Sequence, residues 1–501
     1  MPTRAPKVSP AGKAPSRGLS PRAVGDLLFH ARASNADLQL EAVPLGVTLP
    51  RVLREAEARD EEELAARLLS AWSDTVRAHV EAGTHDVSLS GGVDSAALCA
   101  MAARHAPQKV RAWTMDVHFA DAVERSNARR MAKVTGAELV DVLIPDSVLP
   151  DLFEHAVLAN QTVILNARAV ASYVFYLEAQ RQGAGPVLLS GAGADEVLQG
   201  TPGVLAAAKA RVDEDRTLAV RALGFEAMAA VDNLRAPFRA GSRDHEEPPG
   251  AARGAVDNSG SPLDGAPHGD QESKPSTGHF PSGNGGSDQA LGRREDSTPV
   301  DNLRTVSEGW NSDHVSRGPP VDNLGTGLAA PWELPQEEAL PSEELRYAKW
   351  VLAELILPPE LRGARAHGLT VRTPYLDEGF ARVALALPES VLQRDGFGKW
   401  LFRHAVRSLV PDEVRLARKT PRYGHTALSS PVRSRWLELY RAWLSPARLD
   451  SLQVINTQGV LGLMERYFRL PPDDAQAGPM DRLLMRLMSL AMLQAHTKAP
   501  P

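Results

Sequence analysis

The stretch "VSLSGGVDSAALCA" (residues 87–100) sets Ser90, Gly91, Gly92, Asp94 and Ser95 between a short apolar run and an alanine-rich segment. An apolar run that stops at paired glycines and resumes as a helix-forming pattern predicts a strand, a tight loop and a helix. Gly91 and Gly92 let the backbone curl until successive N–H groups point inward as an anion-binding nest. Ser90 and Ser95 add hydroxyl donors, and the next helix aims its positive end at the same point. The pattern therefore reads as a phosphate loop. It lacks the G-x-x-x-x-G-K-[ST] spacing of the common type, and no lysine follows the glycines. Asp94 stands inside the loop instead, where a carboxylate repels phosphate unless a divalent cation bridges them. A plain strand-to-helix turn, with Asp94 serving only the helix dipole, is the alternative for this stretch taken alone.

A related stretch, "VLLSGAGADEVLQG" (187–200), again comes after an apolar run and supplies Gly191 and Gly193, then Asp195 and Glu196. Two such loops, each with an aspartate, point to a nucleotide site in which Asp94 and Asp195 share a Mg²⁺ ion over the phosphates; a pair of unrelated glycine turns is the alternative.

Between and around these loops, "DVSL" (86–89), "VRAWTM" (110–115), "ELVDVLI" (138–144) and "PVLLS" (186–190) read as buried strands. The segments 94–105, 121–135 and 166–182 read as helices between them. Strands alternating with crossover helices imply an α/β fold, a parallel sheet with helices on both faces. Ligands of such sheets lie at the carboxyl ends of the strands, where both loops fall. Upstream, Leu64, Leu68, Trp72, Val76 and Val80 recur every four residues and predict an amphipathic helix over 61–80. Beyond 340 the chain is helical and apolar, ending in an amphipathic helix near 480–496, so a helical C-terminal half is expected against the sheet.

Residues 231–330 break the pattern. Glycine and proline make up 25 of these 100 positions and large apolar residues only 15, too few to offset ordering of the backbone. The expectation is a disordered Gly/Pro-rich insertion. It carries "VDN" at 231, 256, 300 and 321, without the fixed period of a solenoid. These copies are either short linear motifs for a partner or remnants of a repetitive insertion, and the absence of shared flanks favours the second. Residues 1–58 are read as a disordered tail with the remnant of an N-terminal domain. The first 22 residues hold five basic groups and no acid, which also resembles a transit peptide, but no apolar core for secretion accompanies them.

Bulk properties exclude several function classes. A net charge of −6 offers no general field for nucleic acid or anionic lipid, so neither is expected as a partner. No apolar run approaches the length of a membrane span. The single cysteine, Cys99, rules out an intramolecular disulfide and fits a reducing cytoplasm. No His/Cys cluster has zinc-ligand spacing.

"SGGVDS" resembles the pyrophosphate loop of the N-type ATP pyrophosphatases. The pair "SGGVDS … SGAGADEVLQG" resembles the synthetase domain of the asparagine synthetase family, shared with β-lactam synthetase. "EEELAARLLSAWSDTVRAHV" resembles the helix leading into that domain. "AHGLTVRTPYLDEGFARVALALP" (366–388) resembles the family's G-L-E-x-R-x-P-F-L-D block, and "GKWLFRHAVRSLVPDEVRLARK" (398–419) its K-x-x-L-R … R-x-K block. The resemblance covers about 60–230 and 340–495. It implies an adenine nucleotide α-hydrolase-like domain over 59–230 and 331–497, using ATP and Mg²⁺. The implied reaction adenylates a carboxylate, aspartate foremost, and then passes the acyl group to ammonia or an amine. Lys399 and Lys419 would bring positive charge from the helical half, Met115 in "WTM" would border the adenine, and Arg372 and Asp377 would hold their block together.

Two departures bear on function. The family's N-terminal cysteine nucleophile has proline at the matching position 2, so glutamine hydrolysis in this chain is not expected. Ammonia, an amine, or a separate glutaminase subunit would supply the nitrogen. "EAVPLGVTLPRVL" (41–53) resembles the segment just after that glutaminase domain, as if most of the domain had been lost. Thr370 replaces the family glutamate associated with deprotonating the amine, and threonine is no general base at neutral pH. Glu378 is a nearby substitute. "NQ" (160–161) replaces an acidic-Pro step. These departures leave open the same chemistry on a peptide or natural-product carboxylate, or a nucleotide-binding protein without turnover.

Overall fold

The structure is a computed structural model that describes residues 19–30, 49–55, 60–199, 203–223, 330–333, 340, 342–418 and 425–497. The chain divides into two units, 1–241 with 324–501, and 242–323. The second unit lies outside the described residues, as does the insertion expected at 231–330 apart from Ala330.

In chain order the first unit forms α1 (Pro21–His30), α2 (Glu61–Glu81), β1 (Asp86–Ser88), α3 (Val93–His105), β2 (Arg111–Asp116), α4 (Ala122–Thr135), β3 (Glu138–Leu143), α5 (Val148–Asn160), α6 (Ala167–Arg181), β4 (Val187–Leu189), α7 (Ala194–Leu198) and α8 (Val204–Leu223). It continues through α9 (Glu343–Val351), β5 (Thr370–Arg372), α10 (Glu378–Ala386), the hairpin β6 (Gln393–Arg394) and β7 (Phe397–Gly398), α11 (Trp400–Ala405), α12 (Arg433–Trp443), α13 (Thr457–Arg469) and α14 (Ala477–Thr497). Shorter helical turns join them.

The five long-range strands form one parallel sheet in the order β3-β2-β1-β4-β5. All four strands read from the sequence are present. The fifth, β5, pairs with β4 through Val187↔Thr370 and Leu189↔Arg372 and was not expected as a strand. Strand order reverses direction between β1 and β4, and the crevice outside the carboxyl ends at such a switch is where ligands of these sheets bind. Both glycine loops open there, one after β1 and one after β4.

Side chains alternate across the sheet as the pleat requires. Val87, Leu89, Ala112 and Leu189 enter one core with α2, α3, α4 and α10, while Trp113, Val142, Leu188 and Val371 enter the other with α5, α6 and the C-terminal helices. Within α3, Val93 and every residue from Ser95 to Ala103 are buried, which is why alanine dominates this inner helix. The α2 helix begins at Asp60, whose carboxylate accepts from the N–H groups of Glu62 and Glu63. Its Trp72 stacks on Tyr375 at 4.1 Å and meets Phe380 and Phe402 edge-on, joining α2 to the blocks around 375 and 400.

The structure corrects the expectation for 1–58 at residues 19–30. The α1 helix is ordered, with Val24, Leu27 and Leu28 buried at i, i+3 and i+4. Its last carbonyls are capped by buried arginines: Arg486 donates to Leu28 O, and Arg216 Nε donates to Phe29 O at 3.2 Å. Composition averaged over the polar flanks hides this ten-residue stripe. The α5 helix was likewise not foreseen, because Pro150 in its first turn looks like a breaker, although the first turn is where a helix tolerates proline. Among the described residues no helix is long and apolar enough to cross a membrane.

Within the helical half, Asp481 of α14 is fully buried and accepts hydrogen bonds on Oδ1 from Tyr440 Oη (2.8 Å), Tyr467 Oη and the Ala427 N–H (3.3 Å). Burial pushes its carboxyl up to about 6 against the pull of those donors. The folded state thus holds this proton more tightly than the unfolded chain. The group's contribution to stability is complete below the unfolded value, near 3.9, and is lost as pH rises through the folded one. Asp481→Asn should therefore gain about 1 kcal/mol relative to the wild type between pH 5 and pH 7. Urea unfolding of both proteins at the two pH values reads this directly; a constant difference would contradict the buried, proton-holding role.

Candidate active site

The first loop leaves β1 and enters α3. Gly91 adopts φ +87°, and a Cβ there would lie 1.8 Å from the Glu124 carbonyl oxygen of α4. Only glycine fits both conditions. Gly92 is the N-cap of α3 and no side chain caps that end; the first helix N–H to find an intrahelical acceptor is that of Ala96, on Gly92 O. The N–H groups before it face the loop, the arrangement that favours an anion. Ser95 ties the loop together: its Oγ accepts from the Ser90 N–H at 3.1 Å, donates to Gly92 O at 3.1 Å, and lies 3.1 Å from Ser90 Oγ.

The second loop leaves β4 and enters α7. Gly193 (φ +90°) is that helix's N-cap, and a Cβ on it would overlap the Leu376 side chain at 2.4 Å. A Cβ on Gly191 would sit 3.3 Å from the Ser95 nitrogen and 3.5 Å from Asp94 Cβ. The two loops are thus in direct contact, and their glycines set the spacing. The sequence predicted two loops on one site; the structure brings them together.

Lys399 closes the arrangement. The hairpin β6–β7 turns at Asp395 and Gly396, both with positive φ as a tight two-residue turn requires, and delivers the chain to Lys399. Lys399 itself sits in the left-handed region (φ +59°), a sparsely populated conformation for a residue with a side chain. Its ammonium is buried and pairs with Asp94 Oδ2 at 2.5 Å and Asp195 Oδ1 at 2.7 Å. Burial alone would lower its pKa; the charges of Asp195 and Asp94 override that and hold it above the ordinary lysine value. The charge expected from elsewhere in the chain is therefore at the junction of the two loops.

The remaining predicted residues are more scattered. Met115, near the carboxyl end of β2, is half-buried and packs on the core beside the loops' edge of the sheet. Lys419 lies outside the described residues. Arg372 O accepts from the Ser190 N–H at 2.8 Å, at the start of the second loop, and Asp377 Oδ2 meets His79 Nε2 of α2 at 2.6 Å, joining its block to that helix. Thr370 opens β5 level with Val187, with its side chain exposed, three residues before the level of Ser190. Glu378 is exposed on α10 and pairs with Arg382 at 2.5 Å. Cys99 is buried in α3, where burial raises its thiol to about 11, so it is no nucleophile.

Two contributors were not read from the sequence. Tyr375 Oη donates to the Asp94 carbonyl at 2.9 Å and so fixes the start of α3 from the 366–388 block. Arg403, one turn after Lys399, is buried and donates through Nε to Gly398 O at 3.0 Å. Burial lowers its pKa while Asp94 and Asp195 oppose the change, which places it within their field. The four-residue spacing of Lys399, the residue that caps α11, and Arg403 was the available signal.

No curated protein matches the chain. The model of the asparagine synthase family does, over residues 63–495, a span that holds both loops, Lys399 and every strand of the sheet. That match covers well over half of the sequence, so the chain belongs to the asparagine synthase family, whose members are ATP-using, amide-forming ligases.

Proposed function

We propose that this chain adenylates a carboxylate, aspartate foremost, and transfers the acyl group to ammonia or an amine. The observation that carries this reading is the buried Lys399 ammonium at the meeting point of two glycine loops, held by one aspartate from each. In the first step a carboxylate oxygen attacks the α-phosphorus of ATP, the bond to the β-phosphate bridging oxygen breaks, and pyrophosphate leaves with the electron pair. The ammonium of Lys399, the guanidinium of Arg403 and the open N–H groups of α3 are preorganised for that developing charge. In the second step the nitrogen attacks the acyl carbon and AMP departs.

The residues also suit Mg²⁺. Asp94 Oδ1 is buried without a hydrogen-bond partner among the described residues, an acceptor that a cation would satisfy. No group of three or more metal-ligating side chains gathers among the described residues, so Asp94 and Asp195 would hold the ion together with phosphate oxygens. When bound, Mg²⁺ would neutralise charge on the phosphates. Ammonia is the simplest nitrogen source, with a separate glutaminase subunit as its supplier where glutamine is the donor.

The test is pyrophosphate release from MgATP with L-aspartate and ammonium chloride. Release that needs aspartate, and that falls at least about a hundredfold in Asp94→Ala, is the expected result. Release with another carboxylate but not with aspartate would replace the substrate; Thr370 at the family glutamate position favours that second reading. ATP binding without release from any carboxylate would overturn catalysis altogether.

A further inference from the structure

Beyond Lys399 the chain carries three more cations, Arg403, Arg415 and Arg418, and the first two are buried. Buried charges are ordinarily paired with opposite ones. Arg403 is instead held by backbone carbonyls: its Nε donates to Gly398 O at 3.0 Å and its Nη1 to Arg415 O. Arg415 returns the contact. Its Nη1 donates to Arg403 O at 3.4 Å, while its Nε and Nη2 grip Asp412 Oδ1 at 3.0 and 2.6 Å. The two arginines close a reciprocal clasp between α11 and the helical turn Asp412–Arg415.

The clasp sets two like charges side by side, and the protein's own groups offset that only in part. The Arg415 charge works against that of Arg403. Asp94 and Asp195 favour the Arg403 charge, but both already hold Lys399. Asp412, the partner of Arg415, is 70% exposed, so solvent weakens its effect. A further anion would complete the balance. Phe397 of β7 gives the arginines a fixed wall: the Arg403 and Arg418 guanidinium carbons lie 5.5 and 5.6 Å from its ring centre. Neither carbonyl contact of Arg403 uses Nη2, so its fork keeps donors for a ligand.

We propose that Arg415 is a positioning residue for the leaving pyrophosphate, acting through Arg403, which it fixes within reach of the charges of Asp94 and Asp195. This inference rests on the adenylating reading above. The Arg415 side chain ties its own turn to Arg403 O, and that tie keeps Arg415 O where Arg403 Nη1 can hold it. The other end of the clasp, Gly398 O, belongs to the residue before Lys399, so the same contacts steady the peptide from which Lys399 extends. As the bond to the α-phosphorus breaks, the bridging oxygen keeps the electron pair and charge grows on the pyrophosphate. A guanidinium already in place stabilises that charge without reorganisation. Alanine at 415 would leave the carbonyl present but no longer fixed.

The experiment follows aspartate-dependent exchange of labelled pyrophosphate into ATP, which gives separate KM values for pyrophosphate and for L-aspartate. Arg415→Ala should raise the KM for pyrophosphate about tenfold, the scale of a charge displaced rather than removed, and leave that for aspartate within about twofold. Arg403→Ala should raise it further. Adding Arg415→Ala to Arg403→Ala should then cost nothing more, because a residue that acts through another has no separate effect once that other is gone. Arg415→Lys keeps the charge and a donor for Arg403 O, so it should recover part of the loss. Asp412→Ala, at an exposed position, should show the same selective rise at about threefold, and it carries the test if Arg415→Ala does not fold. A parallel rise in both KM values, a full additional loss in the double variant, or no change in Arg415→Ala would overturn the role of Arg415. Absence of exchange in the wild type would instead overturn the adenylating reading with aspartate, and this inference with it.

Discussion

Lys399→Met should eliminate pyrophosphate release, to below about one part in a thousand of the wild type, and destabilise the fold. Both effects come from the same ammonium. In the proposed reaction it would be a fixed positive charge beside the leaving pyrophosphate, inside a site that burial makes poor in water. One preorganised donor of that kind is worth about 10²–10³ in rate, and a full charge stands at or above the top of that range. In the folded protein it neutralises Asp94 and Asp195, and its removal leaves two carboxylates facing one another. Breaking a buried pair costs about 3–5 kcal/mol. The lower end applies here, because the two carboxylates keep 22% and 32% side-chain exposure and stay partly hydrated. The two effects separate in the combined variant Lys399→Met with Asp195→Asn. Removing one carboxylate should restore most of the lost stability in urea unfolding and none of the pyrophosphate release. Lys399→Arg should also be inactive, since a planar guanidinium does not fit a left-handed position built for a compact ammonium. Retained activity in Lys399→Met would mean that the aspartates, and not the lysine, are the functional groups at the junction.

The glycine loops were legible in the sequence because their chemistry is local. A strand, two glycines and a helix start are all written within a dozen residues, and so are β1 to β4 and the helices α3, α4 and α6. The parts that were not legible depend on contacts between distant segments. The three residues of β5 are an apolar–polar fragment with no pattern of their own; they become a strand only because β4 offers its edge to them. Lys399 stood out through resemblance alone, since no local feature distinguishes "FGKW" from any exposed turn. Its burial comes from Asp94 and Asp195, roughly three hundred and two hundred residues upstream. Tyr375 was missed for the same reason.

The two glycines of the first loop should respond differently, and the contrast tests how the loop is built. At Gly91 an alanine has to adopt φ +87°, which costs a residue with a Cβ about 1–2 kcal/mol. Its methyl would also lie 1.8 Å from Glu124 O and 2.6 Å from the Glu124 carbonyl carbon, both backbone atoms of α4. No rotamer relieves that overlap; either the loop or the helix has to move. Overpacking of this kind adds about 1–3 kcal/mol, so Gly91→Ala should lose about 3 kcal/mol in urea unfolding and essentially all pyrophosphate release. Gly92 has φ −73°, and the nearest atom to an added Cβ is Ser90 Oγ at 3.7 Å, an ordinary contact. The protein itself has room for alanine there. Gly92→Ala should therefore unfold within about 1 kcal/mol of the wild type. Its penalty should appear instead in weaker ATP binding, because the methyl would stand over the open N–H groups of α3 where phosphate approaches. Wild-type ATP affinity in Gly92→Ala would place the phosphates elsewhere than over the α3 N-terminus. Wild-type stability in Gly91→Ala would contradict the close packing of the loop on α4. The expected pair of results would assign the first glycine to the fold and the second to the ligand, and only the pair of measurements separates those demands.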